Sequence, residues 1–499
     1  MLVIVFFACL GTANAYIWPS PQLDALEALR FDLDRNGLTS FLDPCDQFAF
    51  DNPGSGRSNA ADWIRTAYHD MATYNITDGT GGMDASIRFS VEQARPEDPG
   101  DGFLNSNIVL GLSANRYISI ADTLAVGAIL AIEACGGPQI AFRGGRVDAG
   151  EPNLPGVPEP QQDLASHVAA FARQGFNQTE MIGLVACGHT FGGVQQSLFP
   201  LTVPEFNAPN NSESVAHFDS TFVTFDNNIA TEYISGTTLN PLVVGNNETT
   251  NSDKRIFGSD GNATMLAFAN SPEHFAATCA DLFARMVDTV PNGVQLTEVI
   301  EPLPVKPANI KIDLDGDNIR FAGEVRFWNL PDNPERTVNL LWDDRVGGKN
   351  NATLLLEGVS DLNGRNNATW YAFNASADTG FLTLNATAGI TNMQFVVDDT
   401  LENQGALFVL TGRWDVAVRS EVNATLTRLY LEQDSFDSVN RPIVVEVDLT
   451  PNIDNAVPGF AIWSGPAVNA AALCTISAEI GGVTVSRSEP RSLLDFSEC

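Results

Sequence analysis

Two of the chain's five histidines stand beside residues with which they could do chemistry. His69 lies in Asp62-Trp63-Ile64-Arg65-Thr66-Ala67-Tyr68-His69-Asp70. A helix over that stretch puts Arg65 and His69 four residues apart on one face, with Tyr68 beside them. An imidazole supplies a general acid–base, and a neighbouring guanidinium supplies a fixed positive charge. Cleavage of a peroxide bond needs both. His189 lies in Leu184-Val185-Ala186-Cys187-Gly188-His189-Thr190-Phe191-Gly192-Gly193, a setting suited to a metal ligand.

Each histidine is followed by an oxygen-bearing residue that heads a cluster. Asp70 is joined by Gly79-Thr80-Gly81-Gly82-Met83-Asp84-Ala85-Ser86, and Thr190 by the polar run from Asp219 to Asp226. Carboxylates, hydroxyls and carbonyls at alternating positions are hard ligands that suit calcium.

The elements that position these residues divide the chain in two. Residues 16–300 carry helix-length apolar patterning at 23–33, 60–74, 118–133, 163–173, 179–186, 222–233 and 272–286, with Gly-, Pro- and Asn-rich loops between. Four prolines in residues 151–160 require an extended loop there. A Pro-rich stretch at 301–307 reads as a linker. Beyond it, short apolar or alternating runs at 319–327, 353–356, 369–373, 381–384, 393–397, 406–410, 425–431, 443–447 and 483–485 predict an all-β, sandwich-like domain over 308–499.

Sixty-one acidic against 27 basic residues give a formal charge of −34. That balance argues against nucleic acid or an anionic membrane as a partner. Residues 1–15 form a short apolar run ending in a small-x-small site, the pattern of a secretory signal. Ten Asn-x-Ser/Thr sequons, at Asn75, Asn177, Asn210, Asn247, Asn262, Asn351, Asn367, Asn374, Asn385 and Asn423, point the same way: secreted, extracellular and glycosylated. Six cysteines remain after such a signal is cut, namely Cys45, Cys135, Cys187, Cys279, Cys474 and Cys499, and an even count in a secreted chain favours disulfides.

Over residues 20–300 the chain resembles the plant, fungal and bacterial haem peroxidase superfamily, and within it the secreted fungal members of class II-like or hybrid type. The motifs that carry the resemblance are Arg65-x-x-Tyr68-His69-Asp70, the Gly-Thr-Gly-Gly-x-Asp-Ala-Ser block and the His189 segment. It implies a mainly α-helical peroxidase fold, haem b and two calcium ions. It implies Arg65 and His69 as the peroxide-cleaving pair and Asn107, with Asn105 as the competing choice, as the hydrogen-bond acceptor that fixes the His69 tautomer. Glu92 precedes that acceptor. His189 becomes the iron ligand, with Asp260 as its hydrogen-bonded partner and Phe218 in place of a tryptophan. Tyr68 stands where the family has Phe or Trp. Distal calcium falls to Asp70, Gly82, Asp84 and Ser86, and proximal calcium to Thr190, Asp219, Thr221, Thr224 and Asp226. A Cys45–Cys135 bridge is implied, with Cys187–Cys279 and Cys474–Cys499 expected beside it.

The same resemblance implies hydrogen peroxide and small phenolic or aromatic donors as substrates. Manganese-oxidising relatives place three carboxylates where this chain has Ser58, Asp62 and Gln195, which argues against Mn(II) as donor. His167, His217 and His274 show no pattern and read as surface or packing residues. The aromatics Trp328, Trp342, Trp370, Tyr371, Trp414 and Trp463 read as β-domain core, with a sugar-binding face, and hence cell-wall polysaccharide as a partner, as the other reading. The alternative function is a non-catalytic wall- or polysaccharide-binding protein with a degenerate peroxidase module.

Overall fold

The computed structural model describes residues 21–32, 37–50, 54–206 and 208–315. Between 318 and 492 it describes all except 331–332, 334, 345, 362–366, 374–379, 391, 399, 404–410, 413–414, 424, 458–459, 466–472 and 487–490. The expected signal, the expected strand at 406–410, Trp414 and Cys499 lie outside the described residues. The chain divides into two compact units. One comprises Leu26–Glu301 with Phe436–Pro442; the other comprises Pro302–Ser435 and Ile443–Cys499 with the residues up to Ala25.

The first unit is helical: α1 (Pro21–Phe31), α2 (Asn59–Met71), α3 (Gly102–Leu110), α4 (Ile120–Ala134), α5 (Leu164–Arg173), α6 (Gln178–Gly188), α7 (Asn228–Ser235), α8 (Ser252–Phe257), α9 (Ala263–Asn270) and α10 (Pro272–Val287). At its centre is α4, apolar except for Asp122, Thr123 and Glu133 and buried along almost its whole length, as a helix surrounded by other helices must be. Ser119 caps its first turn, and the buried Asp148 carboxylate accepts from the Ile120 and Ala121 amides at 3.0 and 2.8 Å. Packed against it, α2 buries Trp63, Ile64, Ala67 and Met71.

Two disulfides tie this unit together. Cys45–Cys135 anchors the C-terminus of α4, and Cys187–Cys279 joins α6 to α10. Each closes a loop of about ninety residues, which by chain entropy is worth about 4–5 kcal/mol. A short antiparallel ribbon, β1 (Gly193–Gln195) with β2 (Val215–His217), follows α6. As the prolines required, 151–159 forms no regular element.

The second unit is all β. Its first core lies between a sheet ordered β3-β4-β8-β7, with β9 also on β4, and a sheet ordered β11-β10-β5-β6. These are β3 (Val305–Asp315), β4 (Asn318–Trp328), β5 (Val338–Asp343), β6 (Lys349–Thr353), β7 (Leu355–Asp361), β8 (Asn367–Ala372), β9 (Leu382–Asn385), β10 (Asn392–Val397) and β11 (Thr400–Asn403). Phe321, Val325, Phe327, Leu340, Met393 and Phe395 fill it. A separate core gathers Val418, Leu429, Leu431, Leu449, Ile476 and Ala478 from strands after residue 411. Both cores lie within the one β unit, in the stretch expected to be all β. Trp370 and Tyr371 are buried, in keeping with a packing role.

The 301–307 segment is a linker only in its first half. Val305, Lys306 and Pro307 are already strand, paired with Phe327, Arg326 and Val325. Pro307 is tolerated because β3 is an edge strand, where a missing donor costs no ladder bond. The helix α1 straddles the division: its residues 21–25 group with the β unit, where the Lys306 ammonium pairs with the Asp24 carboxylate at 3.3 Å and donates to its carbonyl at 3.0 Å.

Arg146 locks α4 to the end of α10. Its guanidinium pairs with Asp122 at 2.9 Å and donates twice to the Val287 carbonyl, and both charged side chains are inaccessible to solvent. Asp122→Ala leaves that guanidinium with only the more exposed Asp288 carboxylate, at 3.2 Å, and is expected to cost about 3 kcal/mol in a urea unfolding curve, against a smaller loss for Asp122→Asn. A loss under about 1 kcal/mol for the alanine variant would contradict this role.

Candidate active site

His69 and His189 line one cavity, together with Arg65, Tyr68, Phe171, Phe191 and Phe218. Its volume of about 310 Å³ is within the range of small-molecule sites. Residues 157–161, from the Pro-rich loop, form part of its wall.

Helix α2 presents the first group. Ser58 caps it by accepting from the Ala61 amide, and its apolar face is locked into the core, so the remaining face fixes Arg65 and His69. Arg65 donates to the Pro99 carbonyl at 3.1 Å, and its guanidinium stands 4.3 Å from the Phe103 ring centre. The His69 Nδ1 lies 2.5 Å from the Asp98 carboxylate. Burial pushes His69 down to about 4, a fall the Asp98 hydrogen bond only partly offsets, so the ring is neutral near pH 7. With the Nδ1 proton donated to Asp98, the Nε2 lone pair is left for the cavity.

Asp98 therefore takes the place expected of Asn107. The Asn107 amide donates instead to the Phe103 carbonyl of its own helix at 2.7 Å, and Asn105, the competing choice, makes no bond to His69. Glu92 accepts from the Asn153 amide at 2.5 Å and pairs with Arg95, buttressing the Pro-rich loop. An acceptor is all the imidazole requires, and the carboxylate of Arg95-Pro96-Glu97-Asp98 could have been found by asking for any acceptor before α3 rather than for an amide. Tyr68 stacks on Phe171 with 6.0 Å between ring centres, and burial raises its phenol.

His189 follows α6, whose first turn carries an Asn177–Glu180 capping box. Its Nδ1 lies 2.8 Å from Asp253 Oδ2, which also accepts from the Asn240 amide at 2.8 Å. Phe218 stacks on the ring, 4.0 Å between centres and 12° from parallel. Asp260 is not the partner. It caps α9, accepting from the Ala263 and Thr264 amides at 3.0 and 2.9 Å. The buried Asp253, in the first turn of α8, holds the position Asp260 was expected to fill. His167 was read as a surface or packing residue; it is buried and lines the cavity, its Nδ1 donating to the Asp163 carbonyl. An imidazole with one nitrogen tied to a buried carboxylate and the other free, facing a cavity with aromatic walls, fits a haem ligand.

Both oxygen clusters assemble. Asp70 accepts from the Asp84, Ala85 and Ile87 amides, and Gly82 donates its amide to Thr73 Oγ1. Asp84 and Ser86 share the Asn153 side-chain amide, which the sequence reading did not include. Burial, then repulsion from Asp84, pushes the Asp70 carboxyl up. In the second cluster Thr190 Oγ1 donates to the Asp226 carbonyl at 2.9 Å, and the Thr224 amide donates to the Thr221 carbonyl at 2.7 Å. Asp219 Oδ1 accepts from Thr221, while Oδ2 is buried without a partner, and burial raises this carboxyl to about 7. Each cluster has two carboxylates; among the described residues no group of three or more His, Cys, Asp or Glu is arranged to hold a metal. The orphaned Asp219 oxygen and the hydroxyl and carbonyl donors around it fit a hard cation such as calcium. Cys45–Cys135 and Cys187–Cys279 are formed as expected, and the pairing of Cys474 with Cys499 falls outside the described residues.

Residues 46–271 match the sequence profile of the peroxidase family. A WSC domain-containing protein of Arthroderma benhamiae is 37% identical over 351 residues, covering 68% of this chain and 48% of that protein. The peroxisomal L-ascorbate peroxidase 5 of Arabidopsis thaliana is 32% identical over 138 residues, 28% of this chain and 49% of the relative. The mitochondrial cytochrome c peroxidase of Yarrowia lipolytica is 33% identical over 136 residues, 26% of this chain and 39% of the relative. The chain spans about half the length, or less, of these curated relatives. Its N-terminal half carries a peroxidase domain with the helical fold.

Two predictions follow from the geometry. Asp253→Ala removes the acceptor of His189 Nδ1 and is expected to weaken haem binding roughly 10- to 100-fold in an optical titration, whereas Asp260→Ala leaves it unchanged. Equal effects of the two would contradict the assignment. Asp219→Asn is expected to lower the calcium content of the purified chain by one equivalent, read by elemental analysis; an unchanged content would remove Asp219 from the cluster.

Proposed function

We propose that the peroxidase domain binds haem b between His69 and His189, reduces hydrogen peroxide and oxidises small phenolic or aromatic donors by one-electron steps. The observation that carries this is the meeting of two carboxylate-held imidazoles and Arg65 in one cavity. When bound, haem would take two oxidising equivalents from peroxide and pass them on singly. His189 Nε2 would hold its iron, and the Asp253 carboxylate would give that ring imidazolate character. His69 Nε2 would take a proton from hydrogen peroxide and return it to the departing oxygen as water forms, while the Nδ1–H···Asp98 bond holds the ring in the acceptor tautomer. The Arg65 charge would stabilise the anion that develops as the O–O bond breaks. Donors would enter beside the 157–161 wall, which is kept open by its prolines.

Two calcium ions would stiffen the loops that follow the two histidines. The domain would act outside the cell, a reading supported by the signal-like residues 1–15 and the ten sequons. The β unit would contact cell-wall polysaccharide. A second reading, a non-catalytic wall protein, draws on the Arthroderma benhamiae relative, whose match extends over more of this chain than the peroxidase profile does.

Steady-state oxidation of a simple phenol by the haem-loaded chain separates the two. The account expects peroxide-dependent turnover that falls roughly 10²- to 10⁴-fold in His69→Ala. No turnover in wild type, or full turnover in the variant, would sink the catalytic reading. Because His69 works as a base only when neutral and its pKa is lowered to about 4, the peroxide step should hold its rate down to that region and fall as the pH drops through it.

A further inference from the structure

Helix α5 has ten residues and buries only two of them, His167 and Phe171. They stand four residues apart, hence on one face, and both line the cavity that His69 and His189 share. Phe171 stacks on Tyr68. The other inward position holds a titratable imidazole, 2% exposed, and nothing in the peroxide step uses it.

The backbone sets the orientation of this ring. Its Nδ1 lies 2.9 Å from the carbonyl of Asp163, the residue that caps the same helix. A carbonyl oxygen can only accept, so Nδ1 carries the proton and Nε2, on the far edge of the ring, carries the lone pair. Burial pushes the imidazole below its ordinary value and the Arg255 charge adds to that, while the Asp163 and Glu159 carbonyls and the Asp253 charge only partly oppose it. The ring is therefore neutral near pH 7. The wall beside it is pinned. The Arg255 guanidinium donates to the Pro160 and Gln162 carbonyls at 2.5 and 2.9 Å, and the Gln162 amide donates to the Glu159 carbonyl at 3.1 Å. His167 and residues 157–161 thus border the same space.

We propose that His167 Nε2 binds the hydroxyl of a phenolic donor and takes its proton as the donor is oxidised, which makes His167 a specificity-determining residue for phenols. In that step the O–H bond breaks, the proton passes to Nε2, one electron leaves for the peroxide-oxidised site, and a neutral phenoxyl radical remains. Without an acceptor, the same electron loss leaves a radical cation among aromatic walls, where desolvation disfavours the charge. A base held within hydrogen-bond reach of the hydroxyl avoids that cost. The imidazolium then gives its proton to solvent as the product leaves. The proposal rests on the reading of this cavity as the place where haem and phenols meet. Phenol binding is measured without peroxide, so it stands or falls apart from turnover.

The probes are 4-methylphenol and its methyl ether, titrated into the haem-loaded full chain while the Soret band is followed. In His167→Phe the affinity for the phenol is expected to fall roughly tenfold relative to that for the ether, which has no hydroxyl to donate. With peroxide added, reduction by the phenol should slow relative to reduction by ferrocyanide, which carries no proton, and its solvent deuterium isotope effect should fall toward unity. His167→Gln keeps an N–H for the Asp163 carbonyl and an oxygen for the hydroxyl but has no base. It should retain phenol affinity while losing the isotope effect, and it decides the matter if the phenylalanine variant does not fold. A ring needed only for packing would lower phenol and ether binding alike. That outcome, or a wild-type isotope effect in both variants, would overturn the proposal.

Discussion

Each imidazole in the cavity is oriented by a buried carboxylate on its Nδ1, and the chemistry available to the site depends on those two bonds. A histidine ring free to turn offers either nitrogen to the cavity; a ring tied at Nδ1 offers only Nε2. Asp98 ties His69 and Asp253 ties His189. The second carboxylate is itself held by Asn240, so its direction is set before any ligand arrives. Removing either acceptor leaves a polar ring atom unpaired in a largely apolar cavity, which costs about 1–3 kcal/mol and frees the ring to rotate.

Much of the helical unit serves to keep those carboxylates and rings in register. The apolar face of α2 is pressed on α4, so the face bearing Arg65 and His69 cannot swing. Cys187 places a disulfide two residues from His189, tying the end of α6 to α10. The oxygen clusters begin at the residues directly after each histidine, and their carboxyls are pushed up by burial. A cation in either would restore the ionised form and draw the loops in. Arg57, at the cavity wall, bonds to Asp62 within α2, to Asp101 before α3 and to Glu213 before β2.

What the sequence made legible follows from the range of the interactions. Arg65 and His69 were readable because helical spacing alone puts them on one face, and the oxygen clusters because most of their members lie within one loop. The partners of the histidines were not. Asp98 is 29 residues from His69 and Asp253 is 64 from His189, and each is presented by a turn or a helix start that periodicity does not reveal. Asn107 and Asp260 had the right chemistry, but Asn107 Oδ1 is buried without a partner and makes no bond to His69, and Asp260 is spent on the first turn of α9. In the β unit, alternation predicted strands but not which sheet each joins, because the pairing of β4 with β3, β8 and β9 is decided by long-range packing of Phe321 and Phe327. Asp101 and Glu213 carried no local signal at all, and only the fold brings them to Arg57.

The central claim is that one cavity holds a haem between His69 and His189, and optical titration of the purified chain with haemin tests it most directly. The account predicts saturation at one equivalent with a sharp Soret band, a spectrum that changes on adding one equivalent of hydrogen peroxide and returns when a phenol follows, and loss of saturable binding in His189→Ala. A wild-type chain that shows no saturable Soret band with calcium present, or a His189→Ala variant with the wild-type spectrum, would contradict it.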